Sequence, residues 1–307
     1  MSDSFSSHQP WPVIMLTGAN GQVGFELTRS LQGLGRVVAL DRNALNIGDA
    51  DRVRAIIRDV KPALIINAAA YTAVDRAETD ELHAHLANGV APGTIAEEAR
   101  RLGALVIHYS TDYVFDGTSA QPYREGDEPK PLNVYGRTKL AGERAVAAAN
   151  GAHLILRTSW VYSVMGRNFL LTMLRLARER RDEIRVVADQ VGAPTWSGTI
   201  AALTSHIVAR YIADPDADRW GSLSGIYHLS AAGEASWFDF ATAIFDATNC
   251  KGIAVRPISS SEYPTPARRP LNSRLCNDKL ASTFGLRAPA WREALARCLH
   301  DRDRAMG

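Results

Sequence analysis

Cysteine is scarce in this chain of 307 residues, which contains only Cys250, Cys276 and Cys298. An odd number of widely separated cysteines argues against a disulfide framework and against a cysteine-based zinc site. The histidines are scattered, and His83 and His85, two residues apart, would point to different sides of a helix. The composition therefore predicts no metal site and favours a reducing, cytoplasmic location.

Long apolar runs and an excess of one charge are also missing. No run approaches the about 20 residues needed to span a bilayer. Residues 1–12 lack the basic start and apolar segment of a signal peptide, so we expect a flexible tail. With 35 basic and 33 acidic residues, the net charge is +2 and no basic block is present. We therefore expect neither a membrane nor a nucleic-acid partner, which leaves small molecules.

Short apolar runs alternate with helical patterns in the first half of the chain. The runs predict strands, and the patterns between them predict helices, at 13–17, 22–34, 36–40, 50–59, 63–67, 81–102, 104–109, 135–149 and 152–157. This alternation is typical of an α/β fold of the Rossmann type, with a doubly wound parallel sheet between two helical layers. We predict one domain at 13–162, to which segments near 196–230 return. A smaller C-terminal lobe takes up most of 163–307.

Three glycines, Gly18, Gly21 and Gly24, follow the first predicted strand and open a helix. Glycine at these positions allows a tight turn and lets a pyrophosphate approach the backbone amides of the helix N-terminus. Asp41 ends the second strand, where a carboxylate can accept a hydrogen bond from a ribose 2′-hydroxyl. Arg42 beside it is either a contact for a 2′-phosphate or a solvated loop charge. The pattern predicts a dinucleotide cofactor, NADH or NADPH.

Tyr135 and Lys139 are four residues apart on a predicted helix and therefore share a face. A free phenol has a pKa of about 10, too high for efficient proton donation near neutrality. An ammonium about 4 Å away contributes on the order of 4 kcal/mol, so we expect Lys139 to lower the pKa of Tyr135. Thr111, at the end of the fourth strand, adds a hydroxyl that can donate to a carbonyl oxygen. We predict an acid–base site from these three residues.

Thr111, Tyr135 and Lys139 resemble the Ser/Thr-Tyr-Lys set of the extended short-chain dehydrogenase/reductase superfamily. Further motifs, which make the chain similar to the dTDP-4-dehydrorhamnose reductase family, lie at 67–75, 157–162, 189–195 and 264–270. The resemblance implies NAD(P)H-dependent reduction of the C4 ketone of dTDP-4-dehydro-β-L-rhamnose to dTDP-β-L-rhamnose, the last step of dTDP-L-rhamnose biosynthesis. It implies that Tyr135 protonates the developing alkoxide, Lys139 holds the ribose hydroxyls and Thr111 polarises the ketone.

The resemblance also implies the binding residues. It implies cofactor contacts from Gly21, Gln22, Val23, Asp41, Ala70, Tyr71, Thr72, Tyr135, Lys139 and Trp160. The glycine motif adds Gly18 and Gly24, and the stretch between the second strand and the second helix adds Arg42, Asn46 and Ile47. The family usually has an aspartate at the position of Asn46, whose amide can still hydrogen-bond to adenine. Sugar contacts are implied for Thr111 and Asp112, and Trp160 is a further substrate contact. Arg268 and Arg269, in a proline-rich loop, are expected to bind the diphosphate, because guanidinium groups match phosphate oxygens.

Alternatives remain open. A reductase of another dTDP-4-keto-hexose would need the same site, and a cofactor-binding regulatory subunit could retain it without catalysis. A sugar-nucleotide dehydratase is disfavoured, because Asp112 is followed by Tyr113 and not by the glutamate that the elimination requires. Some family members form metal-bridged homodimers. Glu26 matches one bridging carboxylate, but the helix after Thr195 begins without an acid, which argues against the bridge. We expect a monomer or a homodimer.

Overall fold

The structure, a computed structural model, describes residues 11–179, 183–248 and 253–306. The strands are β1 (Val13–Thr17), β2 (Arg36–Leu40), β3 (Leu64–Asn67), β4 (Leu105–Thr111), β5 (His153–Thr158), β6 (Val161–Tyr162), β7 (Glu183–Val187), β8 (Val191–Gly192), β9 (Thr195–Trp196), β10 (Gly225–His228), β11 (Ala235–Ser236) and β12 (Ala254–Ile258). The helices are α1 (Gln22–Ser30), α2 (Ala50–Val60), α3 (Val74–Ala77), α4 (Glu81–His85), α5 (Ala91–Leu102), α6 (Val134–Ala148), α7 (Phe169–Arg178), α8 (Ser197–Ala213), α9 (Ala217–Ser222), α10 (Trp237–Ala247), α11 (Asp278–Phe284) and α12 (Trp291–Met306). Cys250 and most of the predicted tail lie outside the described residues.

A parallel sheet in the order β10-β5-β4-β3-β1-β2 forms the centre of the molecule, which confirms the predicted Rossmann-type α/β class. The chain starts at β1, moves outward to β2, and then crosses back to β3, β4 and β5. The direction of winding therefore changes between β1 and β3. In such sheets the ligand crevice lies at this point, beyond the carboxyl ends of the strands.

Alternate residues of each central strand point to opposite faces of the sheet, and both faces are buried. Ile14 and Leu16 of β1 belong to a cluster that includes α1 and α8, whereas Met15 packs with residues of α2 and α5. Because both faces need apolar side chains, the strands appear in the sequence as continuous apolar runs. The sheet is thereby held rigidly between two helical layers, and its carboxyl edge can position a site.

The C-terminal half forms a second apolar cluster around Tyr162, Leu170, Phe240 and Trp291, which joins β6, α7, α10 and α12. Beside it, β7 pairs with β12 in parallel. The segments α8 and β10 do not belong to this cluster, since α8 packs on α1 and β10 forms an edge of the central sheet. The predicted boundaries of a cofactor domain and a substrate lobe stay a prediction.

The helix predicted over 81–102 is interrupted. A π-helical segment, Leu86–Val90, lies between α4 and α5. It brings the carbonyl oxygen of Asn88 so close to α6 that a Cβ atom at Gly142 would lie 2.0 Å from it. Single π-turns are frequent at functional sites. Across the described ranges, no helix has the length and apolarity required to cross a membrane.

Candidate active site

The turn between β1 and α1 has the shape of a phosphate cradle. Gly18 has a φ of +72°, in the left-handed region, and a Cβ atom at Gly24 would lie 2.1 Å from the Gly18 carbonyl oxygen. Gly21 caps α1 without a side-chain hydrogen bond, so no side chain takes up the first amides of the helix. These amides and the positive end of the helix dipole suit an anion. The turn therefore fits the pyrophosphate of a dinucleotide.

Asp41 is held firmly at the end of β2. Its Oδ1 atom accepts hydrogen bonds from the amides of Asn43 (3.0 Å) and Ala44 (2.9 Å), and its Oδ2 atom accepts one from Asn20 Nδ2 (2.8 Å). The carboxylate has lone pairs left for a ribose hydroxyl. Arg42 beside it is exposed, and within the described ranges its side chain has no hydrogen bond or ion pair. This corner is compatible with NADH through Asp41 and with NADPH through Arg42.

The other predicted cofactor residues line the same edge of the sheet. Gln22 and Val23 form the first turn of α1, and Ala70, Tyr71 and Thr72 follow β3. The loop after β3 is fixed by the buried Asn88, which accepts from the Tyr71 amide (2.8 Å) and donates to the Tyr71 carbonyl oxygen (3.0 Å).

Asn46 and Ile47, which were both predicted to contact the cofactor, differ in exposure. Asn46 is exposed, whereas Ile47 is 8% exposed and packs in the core against α2 and α5. Because its side chain belongs to that core, Ile47 has only its backbone to offer to a nucleotide.

Thr111 and Asp112 lie at the carboxyl end of β4, both almost fully buried. Thr111 Oγ1 donates to Asp112 Oδ1 (2.9 Å) and accepts from the Tyr113 amide (3.1 Å). Ser159 Oγ donates to the other carboxylate oxygen of Asp112 (3.0 Å). Burial raises the pKa of Asp112 to about 6, although the hydrogen bonds from Thr111 and Ser159 oppose the shift. A carboxyl group able to titrate close to neutrality thus lies beside the Thr111 hydroxyl.

Tyr135 and Lys139 begin α6, where the Asn133 side chain caps the helix by accepting from the Gly136 amide (2.8 Å). The expectation that Lys139 lowers the pKa of Tyr135 is wrong for this structure. Burial and the nearby Asp112 charge raise the pKa of Tyr135 to about 12, against a hydrogen bond with Thr111 that lowers it.

The lysine has another partner. Lys139 Nζ donates to the carbonyl oxygen of Tyr109 (2.6 Å), and burial lowers the pKa of Lys139 to about 8, with the Glu143 charge opposing. The phenol of Tyr135 is therefore protonated near neutrality. An alkoxide is a stronger base than a phenolate, so such a phenol can still donate its proton to a reduced ketone.

Trp160, just after β5, is held in an unusual conformation. Its φ is +47°, and its ring stacks on Trp237 with centroids 3.5 Å apart and an interplanar angle of 4°. A Cβ atom at Gly192 would lie 2.5 Å from the same indole, so only glycine fits there. Trp237 Nε1 in turn donates to Gln190 Oε1 (3.2 Å). The Trp160 ring is thus fixed between two segments of the C-terminal half.

The two arginines of the proline-rich loop have different surroundings. Arg269 donates to both carboxylate oxygens of Asp75 (2.9 and 2.8 Å) and to Thr265 Oγ1 (2.6 Å). Arg268 is exposed, and the bond given for it is from Asn133 Nδ2 to its backbone carbonyl (2.8 Å). The Arg269 guanidinium therefore ties the loop to the start of α3. Diphosphate binding stays a prediction for both, with Arg268 the more accessible.

Sequence reasoning gave no role to several residues that shape this site. Ser159 contacts Asp112, Asn88 holds the loop after β3, and Asn168 Nδ2 donates to Gln22 Oε1 (2.8 Å) from the loop before α7. Asp75 lies in the motif at 67–75, but its partner Arg269 is far away in the sequence. Only the occurrence of polar residues in otherwise apolar segments could have drawn attention to Asn88.

No group of three or more histidine, cysteine, aspartate or glutamate side chains that could hold a metal ion is found in the described part of the chain. Glu26, on α1, is half-buried, and burial raises the pKa of its carboxyl group.

Comparison with known proteins gives consistent matches over nearly the whole chain. The family model described as the RmlD substrate binding domain matches residues 13–304. The dTDP-4-dehydrorhamnose reductase of Burkholderia thailandensis is 48% identical over 295 residues, covering 94% of this chain and 98% of the relative. That of Escherichia coli K12 is 43% identical over 297 residues, covering 94% and 97%.

Solved structures agree with these matches. The dTDP-4-dehydrorhamnose reductase of Bacillus anthracis, solved in complex with NADP, has a TM-score of 0.87 at 36% identity and covers 95% of this chain and 99% of that one. The match includes the C-terminal half and not only the nucleotide-binding sheet.

Proposed function

The chain belongs to the dTDP-4-dehydrorhamnose reductase family, and from this we propose how its residues divide the reaction. The reaction is the NAD(P)H-dependent reduction of the C4 ketone of dTDP-4-dehydro-β-L-rhamnose to dTDP-β-L-rhamnose, the final step of dTDP-L-rhamnose synthesis. We assign proton donation to Tyr135, polarisation of the ketone oxygen to Thr111, and the ribose hydroxyls of the cofactor to Lys139.

Tyr135 starts the reaction as a neutral phenol, since the pKa of about 12 keeps its proton in place. When bound, the reduced nicotinamide supplies the hydride that adds to the ketone carbon. Tyr135 gives its proton to the oxygen as negative charge develops there, and the Thr111 hydroxyl donates a hydrogen bond to the same oxygen. Oriented donors of this kind contribute about 3 to 4 kcal/mol each where water is excluded.

Lys139 binds the cofactor in this proposal. Its ammonium is fixed by the Tyr109 carbonyl oxygen, and two further N–H donors remain for ribose hydroxyls. Gly21, Gln22 and Val23 would hold the pyrophosphate at the start of α1, and Asp41 or Arg42 would hold the adenosine ribose.

The observation that carries this proposal is the arrangement of Thr111, Asp112 and Tyr135, in which Thr111 donates to Asp112 and both residues influence the Tyr135 phenol, at the edge of the sheet that also carries the glycine turn. A regulatory subunit that only binds a cofactor has no need of a buried proton donor whose pKa depends on a neighbouring hydroxyl and carboxylate. Because buried titratable groups cost stability, their presence together at one crevice favours catalysis.

For the substrate, we propose that Arg268 contacts the diphosphate and that Trp160 and Asp112 contact the sugar. The described cysteines Cys276 and Cys298 are both free thiols, which supports our assignment of the reaction to the cytoplasm. We propose a monomer or a homodimer that needs no metal. Light scattering in EDTA and in Mg²⁺ tests this, and a mass that doubles only in Mg²⁺ would contradict it.

The experiment that tests the function mixes the protein with NADPH or NADH and the dTDP-4-keto-6-deoxy sugar made with its 3,5-epimerase. We expect loss of the reduced nicotinamide absorbance and formation of dTDP-β-L-rhamnose, identified by NMR. A different C4 epimer would favour a reductase of another dTDP-hexose. No oxidation with either cofactor would favour the regulatory subunit.

A further inference from the structure

The Thr111 hydroxyl cannot serve the ketone in the arrangement that the structure shows. A hydroxyl has one proton to donate and two lone pairs. The proton of Thr111 goes to Asp112 Oδ1, one lone pair accepts from the Tyr113 amide, and the protonated phenol of Tyr135 can donate to the other lone pair. An ionised carboxylate can only accept, so the direction of the bond between Thr111 and Asp112 is fixed while Asp112 is charged. In that state Thr111 offers the ketone oxygen a lone pair, which repels it.

A neutral Asp112 reverses this bond. Once the Tyr135 phenol donates to the ketone oxygen and no longer to Thr111, the carboxyl O–H can donate to the lone pair of Thr111 that becomes free, while Ser159 continues to donate to the other carboxyl oxygen. The Thr111 proton is then free for an acceptor in the crevice. This change favours proton transfer to the ketone.

We propose that Asp112 is a positioning residue whose neutral carboxyl group turns the Thr111 hydroxyl from a donor to Asp112 into a donor to the ketone oxygen. The proton comes from solvent and stays on Asp112 during turnover. This inference rests on the proposed function and deepens it, since it states which form of the site is active.

The surroundings of Asp112 bring its pKa closer to neutrality. Its side chain is 2% exposed, and burial already raises its pKa to about 6. The charged or titratable groups around it are Tyr113 and Tyr135, with Arg269 beyond Tyr113. None of these is a cation in direct contact with the carboxyl group. A sugar bound over the site excludes water, which raises the pKa of Asp112 further.

The test is the pH dependence of kcat at saturating cofactor and dTDP sugar, because kcat reports the ionisations of the substrate complex. For the wild type we expect kcat to fall about tenfold per pH unit above the pKa of Asp112. Asp112→Asn offers an amide donor to Thr111 at every pH, so its profile should lose this limb. A limb from Lys139, whose pKa is lowered to about 8, should remain in both proteins.

Thr111→Val is the second variant in this pH experiment. If Asp112 acts through Thr111, this variant also lacks the Asp112 limb, and the double variant turns over no more slowly than Thr111→Val alone. If Asp112→Asn does not fold by circular dichroism, Thr111→Val carries the test by itself. A wild-type profile without the limb, or an unchanged limb in either folded variant, would overturn the inference. Failure of the proposed function is distinct, since the wild type would then oxidise no cofactor at any pH.

Discussion

At the scale of single residues, the site depends on buried groups whose charged forms are costly. Asp112 shows this most clearly, because its carboxyl group is surrounded by hydroxyl donors and has no cationic partner. A buried carboxyl group of this kind prefers its neutral form. The raised pKa suits Asp112 to control Thr111, but it also means that ionisation of Asp112 near neutral pH destabilises the folded protein.

The stability of the protein should therefore depend on Asp112. The folded state holds this proton more tightly than the unfolded state, since the pKa rises from 3.8 to about 6. Stability from this group is fully present below pH 3.8 and is lost as the pH rises to about 6. Asp112→Asn should raise the free energy of unfolding by up to about 3 kcal/mol above this window. Urea titrations at low and neutral pH would contradict this if the gain were equal at both.

A second buried ionic group ties strands to a helix. Glu143 on α6 accepts from Arg157 Nε (2.9 Å) and Nη2 (2.6 Å) of β5 and from Ser110 Oγ (2.5 Å) of β4, and both charged side chains are at most 2% exposed. Charges this deep are tolerated only as a pair. The pair therefore fixes α6, and with it Tyr135 and Lys139, against the sheet.

Arg157→Met should destabilise the protein by about 3 to 5 kcal/mol, because it leaves the Glu143 carboxylate buried without a partner. Chemical denaturation measures the loss. The control is the double variant Arg157→Met/Glu143→Leu, which removes both charges and should recover most of the stability. A single variant as stable as the wild type would show that the pair does not hold α6.

At the scale of elements, the sequence predicts best where one local rule determines the structure. The bounds of β1 and β2 were predicted correctly, since each is a short apolar run between turn residues, although β1 is buried and β2, at the edge of the sheet, is only partly covered. The helix over 81–102 was predicted as continuous, but the π-segment at Leu86–Val90 interrupts it. Within that segment the Asn88 carbonyl oxygen lies close to Gly142 of α6, a tertiary contact that no local pattern records.

The turn between β1 and α1 permits a sharp test. Gly24→Ala would put a Cβ atom 2.1 Å from the Gly18 carbonyl oxygen, so the turn must open. We expect the Kd for NADPH, measured by fluorescence titration, to rise at least ~10-fold. Gly126→Ala is the matched control, because a Cβ atom there meets nothing within 4 Å. Equal affinities of the two variants would argue against a cradle at this turn.

The stacked rings of Trp160 and Trp237 allow a test of substrate binding. Trp237→Leu removes the ring on which Trp160 lies, and Trp160 should then no longer be held in its left-handed conformation. If Trp160 contacts the sugar, the KM for the dTDP sugar should rise on the order of 10-fold while the Kd for NADPH changes little. Trp11→Leu, at an exposed site before β1, serves as the control. A KM equal to that of the control would remove Trp160 from the substrate site.

At the scale of the whole molecule, the site joins distant parts of the chain. The spacing of Tyr135 and Lys139 predicted that they share a helical face, but it could not show that Lys139 donates to Tyr109 or that burial raises the pKa of Tyr135. The pairing of Asp75 with Arg269 joins residues 194 positions apart. Strand ends and glycine turns are local and were predicted, whereas pKa shifts and long-range partners depend on packing.

The central claim is that the Tyr135 phenol delivers the proton to a nucleotide-linked sugar ketone. Its most direct test is single-turnover reduction of the dTDP-4-keto-6-deoxy sugar by Tyr135→Phe and by the wild type, both loaded with NADPH. We predict an unchanged Kd for NADPH and a turnover rate lower by at least ~10² in the variant. A variant that binds NADPH normally and turns over as fast as the wild type would contradict the account.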